Sequence, residues 1–140
     1  MSLLSLNTIK EEVLKLAQEI NAPSVLLPTF GVNKDFAQPE IRVDVKGYHY
    51  VIIERGTELK HQIVRDIDRL FYLTFKDITF SMACDYELNN RIEGQDFRRI
   101  LFSKQLELLN KINDRYYAFR RKEIDDILVK NPFNDKLGSV

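Results

Sequence analysis

An α+β fold is predicted by three features of the sequence. Residues 41–64 alternate in hydrophobicity around two glycine-containing turns. Residues 66–88 form a long apolar segment of helical period, and residues 95–130 carry two further amphipathic helical patterns. No repeat, low-complexity tract or linker separates them, so residues 1–140 read as a single domain.

The first element is a helix over about 8–21. Thr8 and Glu11 have capping-box spacing, and Ile9, Val13, Leu16 and Ile20 share one face. Pro23 stops it. Residues 23–40 then hold three of the four prolines and Gly31 without a clear period, a pattern of a functional loop with room for a short strand at Val25–Leu27.

The alternating segment reads as a three-stranded antiparallel meander, IRVDVK, YHYVIIER and ELKHQIV. Two-residue turns at Lys46-Gly47 and Gly56-Thr57 would pair Val45 with Tyr48 and Arg55 with Glu58. That register places Ile41, Val43, Val45, Tyr48, Tyr50 and Ile52 on one face, joined by Leu59, His61 and Ile63. The opposite face receives Arg42, Asp44, His49, Val51 and Ile53. A slip of one residue would scatter the apolar residues across both sides, so their agreement supports this register. The first face is expected to pack on the helix that follows.

That helix, about 66–88, is the organising element. Ile67, Phe71, Phe75, Ile78, Met82 and Tyr86 form one stripe, and Leu70, Leu73, Phe80, Cys84 and Leu88 form a second almost opposite it. A helix apolar nearly all round is a buried one. Arg69, Lys76 and Glu87 mark the narrow strip left for water. Asp66 suits its N-cap, Asp68 the positive end of its dipole, and Asn89 and Asn90 its stop. Gly94 breaks the chain before a helix over about 95–112. Asn113 or Asp114 then caps a last helix to about Lys130, with Tyr117, Ile124, Ile127 and Leu128 inward and Pro132 beyond it.

Composition narrows the function classes. Lys plus Arg equals Asp plus Glu at 21 each, which supports neither a nucleic-acid binder nor an acidic mimic of one. A single cysteine excludes an intrachain disulfide and fits a reducing compartment. Asp77 and Asp85 interrupt the apolar helix, so it is not a membrane span, and no signal peptide is visible. These features read as cytoplasmic.

The runs PTFGVNKDFAQPEIRVD, GYHYVIIERG, DITFSMACDYELNNRIEGQDFRRILFSKQLELLNKIN and RRKEIDDIL, with NPF beyond, carry a resemblance. They resemble the Imm63-type immunity proteins of bacterial polymorphic toxin systems over roughly residues 28–135. The most specific portion is the ordered string from FSMACDYEL to RIEGQDFRRILFSKQLELL. FYLTF and DRYYAF depart from the pattern in lacking a tryptophan. The resemblance implies an α+β cytoplasmic protein that neutralises a cognate toxin by occlusion, with no catalytic residues, no cofactor and no defined contact residues. The implied partner is a toxin protein, not nucleic acid or membrane; homodimer formation is left open.

The residues themselves suggest where chemistry or contact would lie. Asp77, Ser81 and Asp85 follow i, i+4, i+8 spacing, and two carboxylates in a dry site can act as general acid and base. A structural network with Arg91, Asp96, Arg98 and Arg99 of the following turn is the expected alternative, since buried carboxylates need partners. His49 and His61 lie on opposite faces in the deduced register, which rejects a shared metal ion, and no CxxC or HExxH motif is present. Cys84 falls in an apolar stripe and reads as an inert thiol. Arg115, Tyr116, Tyr117, Arg120 and Arg121 mix aromatic and basic groups as contact patches do, although Tyr117 also fits the core.

Two classes of function therefore stand beside each other: a toxin-binding immunity protein and a small enzyme using Asp77 and Asp85. A regulatory binding module is a third. For the first, the contact surface is expected on the 23–40 loop through Phe30, Lys34, Asp35 and Phe36. It would continue on the sheet through Glu40, His49, Val51 and Ile53, apolar anchors ringed by charge.

Overall fold

The structure is a computed structural model that describes residues 2–34 and 37–138. It divides into two compact units, Met1–Phe75 and Lys76–Val140. The class is α+β as predicted, with four α-helices and one four-stranded mixed sheet among the described residues.

In the first unit, helix α1 spans Leu6–Glu19. It starts earlier than the sequence suggests because Ser5 caps it, its Oγ accepting the Thr8 N–H at 3.2 Å. Ile9, Val13, Ala17 and Ile20 are buried. Asn21 stops the helix in the left-handed region at φ 53°. A single 3-10 turn, Ser24–Leu26, occupies the position expected to be a strand. The short strand lies further on: β1, Thr29–Phe30, pairs in parallel with β2, Glu40–Asp44. Strands β3, Gly47–Glu54, and β4, Thr57–Val64, complete the order β1-β2-β3-β4.

The meander is present, but both turns fall one residue earlier than expected. Asp44 pairs with Gly47, so the first turn is Val45-Lys46, closed by Lys46 N–H donating to Asp44 Oδ1 at 2.9 Å. Val45 consequently leaves the apolar face and is exposed. Gly47 sits at φ 138°, where an added Cβ would stand 2.7 Å from the Val64 carbonyl oxygen, so only glycine fits. The second turn is Arg55-Gly56, both at positive φ, joining Glu54 to Thr57 as two-residue hairpins favour.

A register shift between Ile52 and Ile53 then alters β4. Ile53 pairs with Glu58 and Ile52 with Lys60, which leaves Leu59 as an extra, bulged residue. The expected faces of β2 and β3 are kept, and those of β4 beyond the bulge are exchanged. Tyr48 now stands opposite Val64 and Tyr50 opposite Gln62, while His49 and Val51 stand opposite Ile63 and His61. His61 and Ile63 therefore leave the face of Tyr48 and Tyr50, and Leu59 and Ile63 are exposed.

Helix α2, Ile67–Asn89, runs through the boundary between the units. Asp66 Oδ1 accepts the Asp68 N–H at 3.0 Å and starts it. Every residue from Leu70 to Phe75 is buried, the all-round burial that its composition required. Beyond the boundary the pattern changes. Ile78, Thr79, Ala83 and Glu87 are buried, whereas Phe80, Tyr86 and Leu88 of the two predicted stripes are exposed.

In the second unit, helix α3, Phe97–Ile112, is capped by Asp96, and helix α4, Asp114–Lys130, by Asn113, which also ends α3. Ala83, Leu101, Phe102, Leu106 and Ile124 form its core, with Tyr117, Ile127, Leu128 and Phe133 packed against it. Tyr116 and Arg120 are buried and Tyr117 half-buried, so the aromatic-basic cluster of α4 faces inward at two of its residues.

Candidate functional site

The second unit holds a clasp built on Asp96. Its carboxylate accepts the Arg98 N–H at 3.0 Å, the Arg98 guanidinium at 2.8 Å and the Asn134 N–H at 2.9 Å. The Arg98 guanidinium also donates to the Asn131 and Pro132 carbonyls, both at 2.9 Å. Arg99 pairs with Asp135 at 2.9 Å and lies over the Phe133 ring, 4.3 Å from its centroid. Asp135 in turn accepts the Asp96 N–H at 3.0 Å. The segment after α4 is thus tied to the start of α3. The Arg98 hydrogen bond holds the fully buried Asp96 carboxyl well below the usual carboxylate range, and Arg99 lowers that of Asp135.

Of the network expected from sequence, Asp96, Arg98 and Arg99 come together in this way. The others do not join them. Arg91 pairs with Glu87 at 2.7 Å, and that hydrogen bond lowers the Glu87 carboxyl. Glu87, expected in water, is buried, whereas Asp85 is exposed and Asp77 and Ser81 half-buried. Asp77 and Asp85 also lie about 12 Å apart along the helix axis. They form no dry acid–base pair.

Sequence reasoning missed a second buried group. Gln105, fully buried, donates to the Lys76 carbonyl at 3.0 Å and accepts from Arg120 at 2.8 Å. Glu123 pairs with both Arg120 (3.3 Å) and Lys76 (3.1 Å). The signal available was weak: a glutamine on the apolar face of α3 and an arginine on that of α4. Near it, Arg99, Phe102, Leu106, Tyr117, Arg121 and Phe133 are among the residues lining a cavity of about 380 Å³. The Cys84 thiol, half-buried, is pushed up by burial and fits the inert role expected of it.

The first unit carries a polar row on one sheet face. His49 Nε2 lies 2.7 Å from Asp44 Oδ1, His49 Nδ1 lies 2.8 Å from His61 Nε2, and His61 Nδ1 lies 3.1 Å from Glu58 Oε1. The expectation that the two histidines occupy opposite faces is wrong. The bulge at Leu59 brings Glu58 and His61, which alternation alone would separate, to the face of His49. The hydrogen bond from His49 lowers the Asp44 carboxyl. Arg42, directly opposite His49, donates to Glu40 at 2.9 Å.

The surface expected to meet a partner is only partly accessible. Glu40, His49 and Val51 are buried, Phe30 and Ile53 half-buried, and Lys34 exposed. Asp35 and Phe36 lie outside the described residues. Among the described residues, no group of three or more His, Cys, Asp or Glu is placed to hold a metal ion. No helix among them is long and apolar enough to cross a membrane.

The α+β class is the one that the resemblance implied for an immunity protein. The family model described as Immunity protein 63 (Imm63) matches residues 44–126, more than half of the chain. The chain belongs to that immunity-protein family. The matched stretch runs from Asp44 through β3, β4, α2 and α3 into α4. No curated protein and no solved structure matches the chain.

Proposed function

We propose that this protein binds and neutralises a cognate bacterial toxin domain in the cytoplasm by covering it through a protein–protein interface, without catalysing a reaction. The carrying observation is the family match over residues 44–126. The lack of a dry Asp77–Asp85 pair and the internal use of Asp96, Arg98 and Arg99 support binding over chemistry.

The docking surface we favour is the segment around residues 30–36 and its sheet rim, comprising Phe30, Lys34, Asp35, Phe36 and Ile53. The exposed side chain of Val32 adds an apolar anchor there. Glu40, His49 and Val51 would support this surface from beneath. An interface of roughly 1,200–2,000 Å² needs a few apolar anchors with a charged rim. A second surface is favoured by the exposure of Phe80 and Leu88 on α2, beside Asp85.

Co-expression with the toxin encoded beside the gene, followed by pull-down and growth rescue, tests the reading. The parent chain should co-purify with that toxin and restore growth. Folded Phe36→Ala, Val32→Asp and Asp35→Lys variants should lose both if the first surface is right. Loss with Phe80→Asp and Leu88→Asp instead would move the site to α2. A toxin that neither binds nor is neutralised by the parent chain would overturn the function itself.

A further inference from the structure

We propose that His49 and His61 form a binding site for one divalent transition-metal ion of the zinc type, its remaining coordination positions filled by water. The row Asp44–His49–His61–Glu58 carries this inference, which is independent of the toxin-binding reading. A carboxylate oxygen can only accept, so Asp44 takes the proton of His49 Nε2 at 2.7 Å and Glu58 that of His61 Nδ1 at 3.1 Å. With both rings neutral, each histidine presents its other nitrogen as a lone pair. Those two lone pairs, on His49 Nδ1 and His61 Nε2, face each other at 2.8 Å. Imidazoles oriented by outer carboxylates, with their free nitrogens converging, are the arrangement of metal-ligating histidines.

The spacing fits a tetrahedral ion. With metal–nitrogen bonds of about 2.0–2.1 Å, two imidazole centroids stand about 5.2 Å apart and the two bound nitrogens about 3.3 Å apart. The observed centroids are 5.1 Å apart, with the rings inclined at 55°. Opening the nitrogens from 2.8 Å therefore requires ring tilting and no separation of the strands. His61 can tilt: its side chain is 26 % exposed, on an edge strand beside a bulge, whereas the His49 side chain is 7 % exposed and anchors the site.

The surrounding charge favours a cation. Glu40, Asp44 and Glu58 put three carboxylates on this face against the Arg42 guanidinium, which Glu40 holds at 2.9 Å, and the Lys46 ammonium, whose charge acts on Asp44. Glu40 Oε1 is buried without a hydrogen-bond partner among the described residues, so its negative charge is not fully compensated. Two protein ligands make an open site. It would take an ion by direct coordination at His49 and His61, with Asp44 and Glu58 acting as positioning residues.

The test uses tag-free, chelator-treated full-length chain titrated with Zn²⁺ by calorimetry and with Co²⁺ by visible absorption. One ion per chain should bind, and the imidazole nitrogen resonances of both histidines should shift in the ¹⁵N spectrum. His61→Gln should weaken binding at least about tenfold, and Asp44→Asn by about 10–100-fold through loss of orientation. His49→Gln should do the same, and if it fails to fold, the other two variants carry the test. Absence of binding below millimolar Zn²⁺ would overturn the site and leave a shared proton between the rings. Binding that is unchanged in His61→Gln would equally overturn it, by placing the ion elsewhere.

Discussion

Asp96→Asn removes the charge of the clasp and one of its two acceptor oxygens. Asparagine can still cap α3 through its one amide oxygen, but the Asn134 N–H binds the other carboxylate oxygen, where the amide presents an NH2, so that hydrogen bond disappears together with the anionic partner of Arg98. Asp96 has a fully buried side chain and Arg98 one that is 17 % exposed. Removing one member of a buried pair costs about 3–5 kcal/mol. Arg98 keeps the Asn131 and Pro132 carbonyls and some water, which lowers the expected loss to about 2–3 kcal/mol. Urea denaturation followed by circular dichroism at about pH 7 measures it. The pH dependence follows from the depressed folded-state pKa of Asp96. Its stabilisation is fully present above the unfolded carboxylate value near about 3.9 and is lost as pH falls from there towards the folded value. The difference between parent and variant should therefore shrink below about pH 4. A loss under about 0.5 kcal/mol near neutrality, or one unchanged down to about pH 2.5, would refute the reasoning.

Phe75→Ala, at a fully buried position of α2, should cost about 3–5 kcal/mol, and a denaturation midpoint within error of the parent would contradict its place in the core. Gly47→Ala must place a methyl 2.7 Å from the Val64 carbonyl at φ 138°; a loss of about 2 kcal/mol or more is expected, read as a fall in Tm. Gln105→Ala removes one acceptor from the buried Arg120 guanidinium, which keeps Glu123, and one donor from the Lys76 carbonyl, which keeps the Thr79 hydroxyl, and should lose about 1–2 kcal/mol in the same urea assay. Deleting Leu59 removes the bulged residue and leaves Ile53 opposite Glu58, Ile52 opposite Lys60 and Val51 opposite His61 in a regular ladder, so the nuclear Overhauser contact between the His49 and His61 rings should persist. Its loss would mean that the strand beyond Glu58 pairs in another register.

The sequence by itself determined the α+β class, the four helices to within a few residues, and the meander. Those features are local: periodicity marks α2, and Asp66, Asp96 and Asn113 are caps whose partners lie two residues away. The resemblance to immunity proteins was legible for the same reason, as ordered strings of residues. The tertiary structure decided what depends on distant neighbours. The strand ELKHQIV places apolar residues at both parities, so alternation could not choose its register, and one bulged residue put His61 beside His49 instead of opposite it. Likewise nothing near Glu87 or Gln105 in sequence marked them as buried. Glu87 pairs with Arg91 one turn on, a local spacing that carries no sign of burial, whereas Gln105 is held by Arg120 and a carbonyl of α2, partners that only the packed chain brings within about 3 Å. Buried polar residues are decided by whether folding supplies their hydrogen bonds, and that information is not local.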